Sequence, residues 1–162
     1  MDDKQLLLRH FLATLAYRTQ KALRGAPESF GLFRAAPTVR TPYELIQHME
    51  RVLGYARTCF IGGAYNQKPL SNFQAEVLRF HTTIKDLARH LENGTPLQGI
   101  TLEQLLQGPF SDAMTHAGQL AMLRQFAGAP VPPENFIYAD VRLDNLGPNQ
   151  PAPVRSGNQK GE

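Results

Sequence analysis

The sequence predicts an all-α protein, a four-helix bundle followed by an extended C-terminal segment. Apolar residues recur at alternating spacings of three and four through four separate stretches, the mark of helices that bury one face. Helix-start signatures stand at Thr41-Pro42-Tyr43-Glu44, at Ser71 to Gln74 and at Thr101 to Gln104. No convincing alternation of apolar and polar residues marks a strand. At 162 residues the chain suits one domain with a proper core, with residues 1–145 as the bundle and 146–162 as a Pro/Gly-rich, flexible tail.

A first helix is expected from about Lys4 to Leu23. Leu8, Phe11 or Leu12, Leu15 and Leu23 form its apolar stripe, with Arg9, Arg18 and Lys21 mostly off it and His10 among solvent-side residues. Gly25-Ala26-Pro27 ends it. The connection to Arg40 is longer than a tight helical hairpin uses, with a short turn expected at Glu28 to Leu32.

The second helix combines a hydroxyl cap at Thr41, proline in the first position and glutamate in the third. Leu45, Met49, Val52, Ala56 and Phe60 form its buried stripe. His48 falls three after Leu45 and four before Val52, so it shares that face. Gly62-Gly63 ends the helix and Ala64 to Leu70 form a loop. The two longer connections leave room for a path other than simple up-and-down.

A third helix runs from Ser71 to about Asn93-Gly94. Phe73, Val77, Phe80, Ile84, Leu87 and Leu91 give an unbroken core stripe, with His81 at its edge and His90 on the flank. Thr101 then caps a short helix ending at Gly108. Gly108-Pro109 is expected to halt it, because proline lacks an amide and disfavours a helical residue ahead of it. A new helix runs to Gly128, a glycine suited to a left-handed cap. Ala129-Pro130-Val131-Pro132-Pro133 cannot be helical. Phe136, Ile137, Tyr138 and Val141 read as an extended segment packed on the bundle, and Arg155 to Glu162 as disordered.

Composition narrows the function. The net charge is +3 and the basic residues are scattered, so nucleic acid is not an expected partner. No apolar run approaches the ~18 residues of a membrane span, and Met1-Asp2-Asp3 lacks the basic and apolar regions of a signal peptide. The lone cysteine, Cys59, allows no internal disulfide and fits a reducing cytoplasm.

The stretch from Gly108 to Gly128 carries the chemistry. Ala113, His116, Leu120, Leu123 and Ala127 share one stripe, and Asp112 stands four before His116, one turn away on the same side. An ionisable pair on a core face needs a partner, and a bound cation supplies one. His48, Asp112 and His116 are three candidate ligands on two helices whose axes approach to about 8–10 Å. Two imidazoles and a carboxylate suit Zn, Fe(II), Ni or Mn, and three protein ligands leave a position open, as in catalytic sites. A plainer reading uses the same residues: two satisfied core histidines, with Asp112 as a helix-start residue.

The run Asp112-Ala113-Met114-Thr115-His116-Ala117-Gly118-Gln119-Leu120, followed by Leu123-Arg124, resembles the last-helix motif of the DinB-like (YfiT-like) metal-binding four-helix bundles. Those proteins carry H-x-x-x-H-R-G-Q there and a further histidine on the second helix. His116 matches the second histidine of that pair, Gly118-Gln119 match the G-Q, and His48 within Leu45-Ile46-Gln47-His48-Met49 matches the second-helix histidine. The resemblance spans about Leu6 to Pro132. It departs at Asp112, where the family has histidine, and at Ala117, where the family commonly has arginine. A carboxylate at 112 gives a harder, more negative His-Asp-His set, or else a decayed site.

The resemblance implies a cytoplasmic, often dimeric bundle holding a divalent metal, with a small-molecule substrate and thiol-dependent transferase or isomerase activity. Gln119 and His81 are candidates to support the ligands or contact substrate. Glu50, Glu76 and His81 are candidate general bases, none distinguished. Cys59 reads as a packing residue, so sulfur chemistry would use a low-molecular-weight thiol. Three functions are consistent with the residues: a metal-dependent transferase or hydrolase, a non-catalytic metal-binding or stress protein, and a metal-free bundle for dimerisation or a partner.

Overall fold

A computed structural model describes residues 2–154, and every long element in it is helical. The helices are α1 (Asp3–Leu23), α2 (Pro42–Ile61), α3 (Phe73–Glu92), α4 (Leu102–Leu105) and α5 (Ser111–Phe126), with 3-10 turns at Glu28–Leu32 and Phe136–Tyr138. No strand occurs among the described residues, and no helix there is long and apolar enough to cross a membrane.

The start of α2 forms as its sequence dictates. Thr41 Oγ1 accepts the Glu44 amide at 3.2 Å while a Glu44 oxygen accepts the Thr41 amide at 2.7 Å. The start of α3 is displaced by one residue. Asn72, not Ser71, caps it by accepting the Ala75 amide at 2.8 Å, because asparagine caps as well as serine and this start seats the Phe73 ring against Gly31.

The expected break at Gly108-Pro109 does not occur. From Leu102 the chain stays helical to Phe126, opening into a single π turn over Leu106–Phe110. In that wider register the Ser111 amide reaches the Leu106 carbonyl, and Ser111 Oγ donates to the same oxygen at 2.7 Å. The wider turn relieves the crowding that a proline ring imposes on an ordinary helix. Gly128 has φ of 73° just past the end of α5, the left-handed cap its position predicts.

Side-chain pairs fix the helix directions. Gln47 meets Glu76 and Phe60 stacks on His90, so α2 and α3 are parallel. Phe11 stacks on Phe110 and Arg124 reaches the Ala22 carbonyl, so α1 and α5 are parallel. His48 lies at His116 while Tyr55 lines a groove with Gln107, so α2 and α5 are antiparallel. Each of these long helices packs on two neighbours, α1 on α3 and α5, α2 on α3 and α5. Residues consecutive in sequence, α1 and α2, therefore sit diagonally, and the 24–41 connection crosses one end.

Parallel α2 and α3 require the chain between them to travel back. α2 has 20 residues, about 30 Å of helix, and an extended 62–72 segment covers roughly 36 Å. This strap is held all along its course. The Tyr65 ring lies on Gly54, its hydroxyl donates to Glu50, and Tyr43 donates its hydroxyl to the Leu70 carbonyl. Glu76 accepts the Leu70 amide at 2.6 Å, Gln47 Nε2 at 3.0 Å and Arg79 at 2.7 Å. Glu50 and Glu76 are both fully buried in this network, which removes them from the candidate bases because their oxygens face the strap and Arg79.

The core follows the predicted stripes, with Leu23, Phe73 and Ala127 only partly buried against it and two positions exchanged. In α2, Leu53 fills the core and Val52 sits at its edge. In α1, Lys21 is buried rather than off the stripe, because Glu134 from beyond α5 folds over it at 2.7 Å. Arg124, also buried, donates to the carbonyls of Ala22, Arg24 and Ala129 and so caps the end of α1 and the turn after α5 together.

Phe136–Tyr138 form a 3-10 turn rather than an extended segment; of the expected packing residues Phe136 lies edge-on to Tyr17 and Val141 packs on the core, while Ile137 and Tyr138 are exposed. Residues 146–154 are anchored. Leu146 is buried, its carbonyl accepts from His81 Nδ1 at 2.8 Å, and Arg24 donates to the carbonyls of Gln150 and Pro151. The anchor follows from one apolar side chain and a row of carbonyls, each with a buried or cationic donor waiting. The expected disorder of Arg155 to Glu162 lies outside the described residues.

Candidate metal centre

α2 and α5 bring His48, Asp112 and His116 to one place. Antiparallel packing sets the middle of α2 against the first turns of α5, and the ligand atoms all lie within 4.8 Å of one another. His48 Nε2 is 3.4 Å from Asp112 Oδ2, and His116 Nε2 is 3.4 Å from Asp112 Oδ1. Such gaps exceed a charge-assisted hydrogen bond, which closes to about 2.7–2.9 Å. They match the edge of a tetrahedron whose ion–ligand bonds are about 2.1 Å, which is about 3.4 Å. The cluster is therefore able to hold a metal ion.

Asp112 stands in the first turn of α5 but caps no backbone amide. The helix runs through it without a break, no backbone amide donates to its carboxylate among the described residues, and its near partners are the two imidazoles.

The three side chains are graded in exposure. His116 is 10% exposed, His48 30% and Asp112 45%, so the cluster sits at the edge of the core with one side open. Burial lowers the pKa of His48 below its ordinary value, and the nearby Arg40 and His116 add to this while Asp112 opposes it. A neutral imidazole keeps its lone pair for a cation.

Gln119, one turn beyond His116, places Oε1 2.7 Å from His116 Nδ1. An amide oxygen can only accept, so Nδ1 carries the proton and Nε2 presents its lone pair toward Asp112. His81 is not among the meeting residues. It is bound to Leu146 instead, and burial lowers its pKa to about 4. Cys59 donates to the Tyr55 carbonyl and burial raises its pKa, as suits a packing residue.

No family model, curated protein or solved structure matches this chain. The site must be read from its own geometry.

Two hollows open beside the cluster, and His48 and Arg51 line both. One, about 730 Å³, has Val52, Tyr55 and Pro109 as an apolar wall and Asp112 at its edge. The other, about 370 Å³, is cationic, with Arg34, Arg40 and Arg51 around it. Arg34 is paired with Glu44 at 2.9 Å, whereas Arg40 and Arg51 have no carboxylate partner among the described residues. Sequence reasoning missed this surface because the arginines belong to a connection and to the outer side of α2, where charge alone is unremarkable.

Proposed function

We propose that the chain is a cytoplasmic, divalent-metal-dependent enzyme of DinB-like character, transferring a low-molecular-weight thiol or hydrolysing a small acidic substrate. The observation that carries this reading is the approach of both imidazole Nε2 atoms to the two oxygens of one carboxylate, each at 3.4 Å. Zn, Fe(II), Ni or Mn fits two nitrogens and one oxygen. When bound with an open position, such an ion lowers the pKa of coordinated water or thiol and supplies a nucleophile near neutral pH.

The chain's own residues have separable tasks. His48, Asp112 and His116 hold the ion. Gln119 fixes the tautomer and plane of His116. Arg40 and Arg51 draw an anionic substrate to the open side, and Tyr55, Val52 and Pro109 take its apolar part. No general base of the protein is required for thiol activation, because a bound ion lowers the thiol pKa directly. A homodimer accompanies this reading, on the resemblance alone.

The test is elemental analysis of protein purified without a histidine tag or chelator, beside His48→Ala and His116→Ala. About one ion per chain, lost in both variants while the helical content holds, is the expected result. No metal after refilling with Zn, Ni, Mn and Fe(II) would overturn the reading in favour of a metal-free interaction bundle. A screen of thiols with electrophiles, and of simple esters, then separates an enzyme from a metal-binding protein without turnover.

A further inference from the structure

A second cavity lies on the far side of α5. At 100° per residue, Asp112 and His116 project from one flank of this helix while Met114, Gly118 and Ala121 project from nearly the opposite one. There α1, α5 and the 131–136 segment enclose a hollow of about 470 Å³, within the ordinary range of small-molecule sites. Its walls are mostly apolar, with Met114, Ala117, Ala121, Val131 and Pro132 on them.

The charges around this hollow do not balance. Lys21 is neutralised by Glu134, whose carboxylate is fully buried and also accepts the Tyr17 hydroxyl at 2.5 Å. Arg18 has no such partner. Its guanidinium lies over the Phe136 ring at 3.8 Å from the centroid, and no carboxylate or carbonyl pairs with it among the described residues. Stacking engages the face of a guanidinium and leaves its N–H edge free, and that edge matches a carboxylate in two parallel hydrogen bonds. One uncompensated cation at the rim of an apolar hollow selects a ligand with one acid group and an apolar body.

Gly118 explains how the hollow stays open. It is exposed in the middle of α5 and a Cβ built there meets nothing within 4 Å. Its lack of a side chain therefore serves no close helix contact, and the vacant space is part of the cavity.

We propose that this cavity is a second ligand site, for a small amphipathic monocarboxylate whose acid group pairs with Arg18 and whose body lies along Met114, Ala117 and Ala121. The site stands apart from the metal centre and does not depend on it.

The test titrates octanoate and its uncharged amide, octanamide, into the full chain by calorimetry. Parent protein is compared with Arg18→Gln, Arg18→Lys and Gly118→Leu, with metal content and thermal midpoint measured on each. Octanoate should bind at least tenfold more tightly than octanamide. Arg18→Gln should remove that preference without changing amide binding, and Arg18→Lys should keep only part of it, because an ammonium offers charge but no paired N–H edge. Gly118→Leu should weaken both ligands at least tenfold while the thermal midpoint holds or rises, since leucine is the better helix former and the space is free. Equal binding of acid and amide by the parent, or no binding of either at millimolar concentration, would overturn the proposal. So would an acid preference that survives Arg18→Gln, or affinities that Gly118→Leu leaves unchanged. Metal content equal to the parent's in every variant separates these outcomes from any failure of the metal reading.

Discussion

His48 and His116 meet edge to face across α2 and α5, with ring centroids 4.7 Å apart and planes at 85°. Two imidazoles so close cannot both take a proton without repulsion, and Asp112 offers one oxygen to each. Burial and the neighbouring Arg40 and His116 lower the pKa of His48, while Asp112 opposes them.

Asp112 tests the ligand set directly. Asp112→Asn should weaken Zn binding by about 100-fold or more, beyond the ~10–100-fold expected of an outer partner, because it removes the one negative charge. Asp112→His should retain or strengthen binding. Competition against a chromogenic chelator measures both; two variants that bind like the parent would remove Asp112 from the site.

Gln119 acts through His116. Gln119→Ala should lower metal affinity by about 10–100-fold with no change in stoichiometry. Gln119→Glu should restore it, since a carboxylate also accepts from Nδ1–H. An alanine variant of parental affinity would show that water orients the ring equally well.

His81 makes stability depend on pH. Its folded pKa is about 4, below the value of about 6.5 for an unfolded histidine. Above pH 6.5 both states are neutral and the group contributes no slope. As pH falls from 6.5 toward 4 the unfolded state takes up a proton that the folded state refuses, so stability drops. The loss from this group between pH 7 and pH 5 is about 2 kcal/mol. Urea midpoints at the two values should show it in the parent and a much smaller change in His81→Gln. A slope unaffected by the substitution would assign the effect elsewhere.

Gly54 carries the strap. A Cβ there would overlap the Tyr65 ring, so Gly54→Ala must expel the ring and leave Glu50, fully buried, with Thr83 as its one remaining hydroxyl donor. The cost should be about 2–3 kcal/mol, read from urea denaturation. Adding Tyr65→Ala to Gly54→Ala should cost little more, since the first substitution has already displaced the ring. Full additivity of the two would mean that they act separately.

Much of the site was legible because its spacing is local. Asp112 and His116 stand one turn apart whatever else the chain does, and His48 sits at a fixed distance from the Thr41 cap. The roles of Arg124, Lys21 and Glu134 were not legible, since each depends on a partner about 100 residues away. Nor was the cationic hollow, which needs the 24–41 connection to fold back beside α2.

The sequence by itself determined the four long helices, the Thr41 and Gly128 caps and most of each core face, because these follow from periodicity and capping chemistry over a few turns. It misjudged Gly108-Pro109, where local chemistry opposes a helix and packing on both sides enforces one through a π turn. Only the tertiary structure decided that α2 and α3 run parallel, that a strap returns between them, and that α5 carries candidate ligands on one flank and a cavity on the other. Those are relations between segments distant in the chain, set by which buried surfaces and buried charges can be satisfied together.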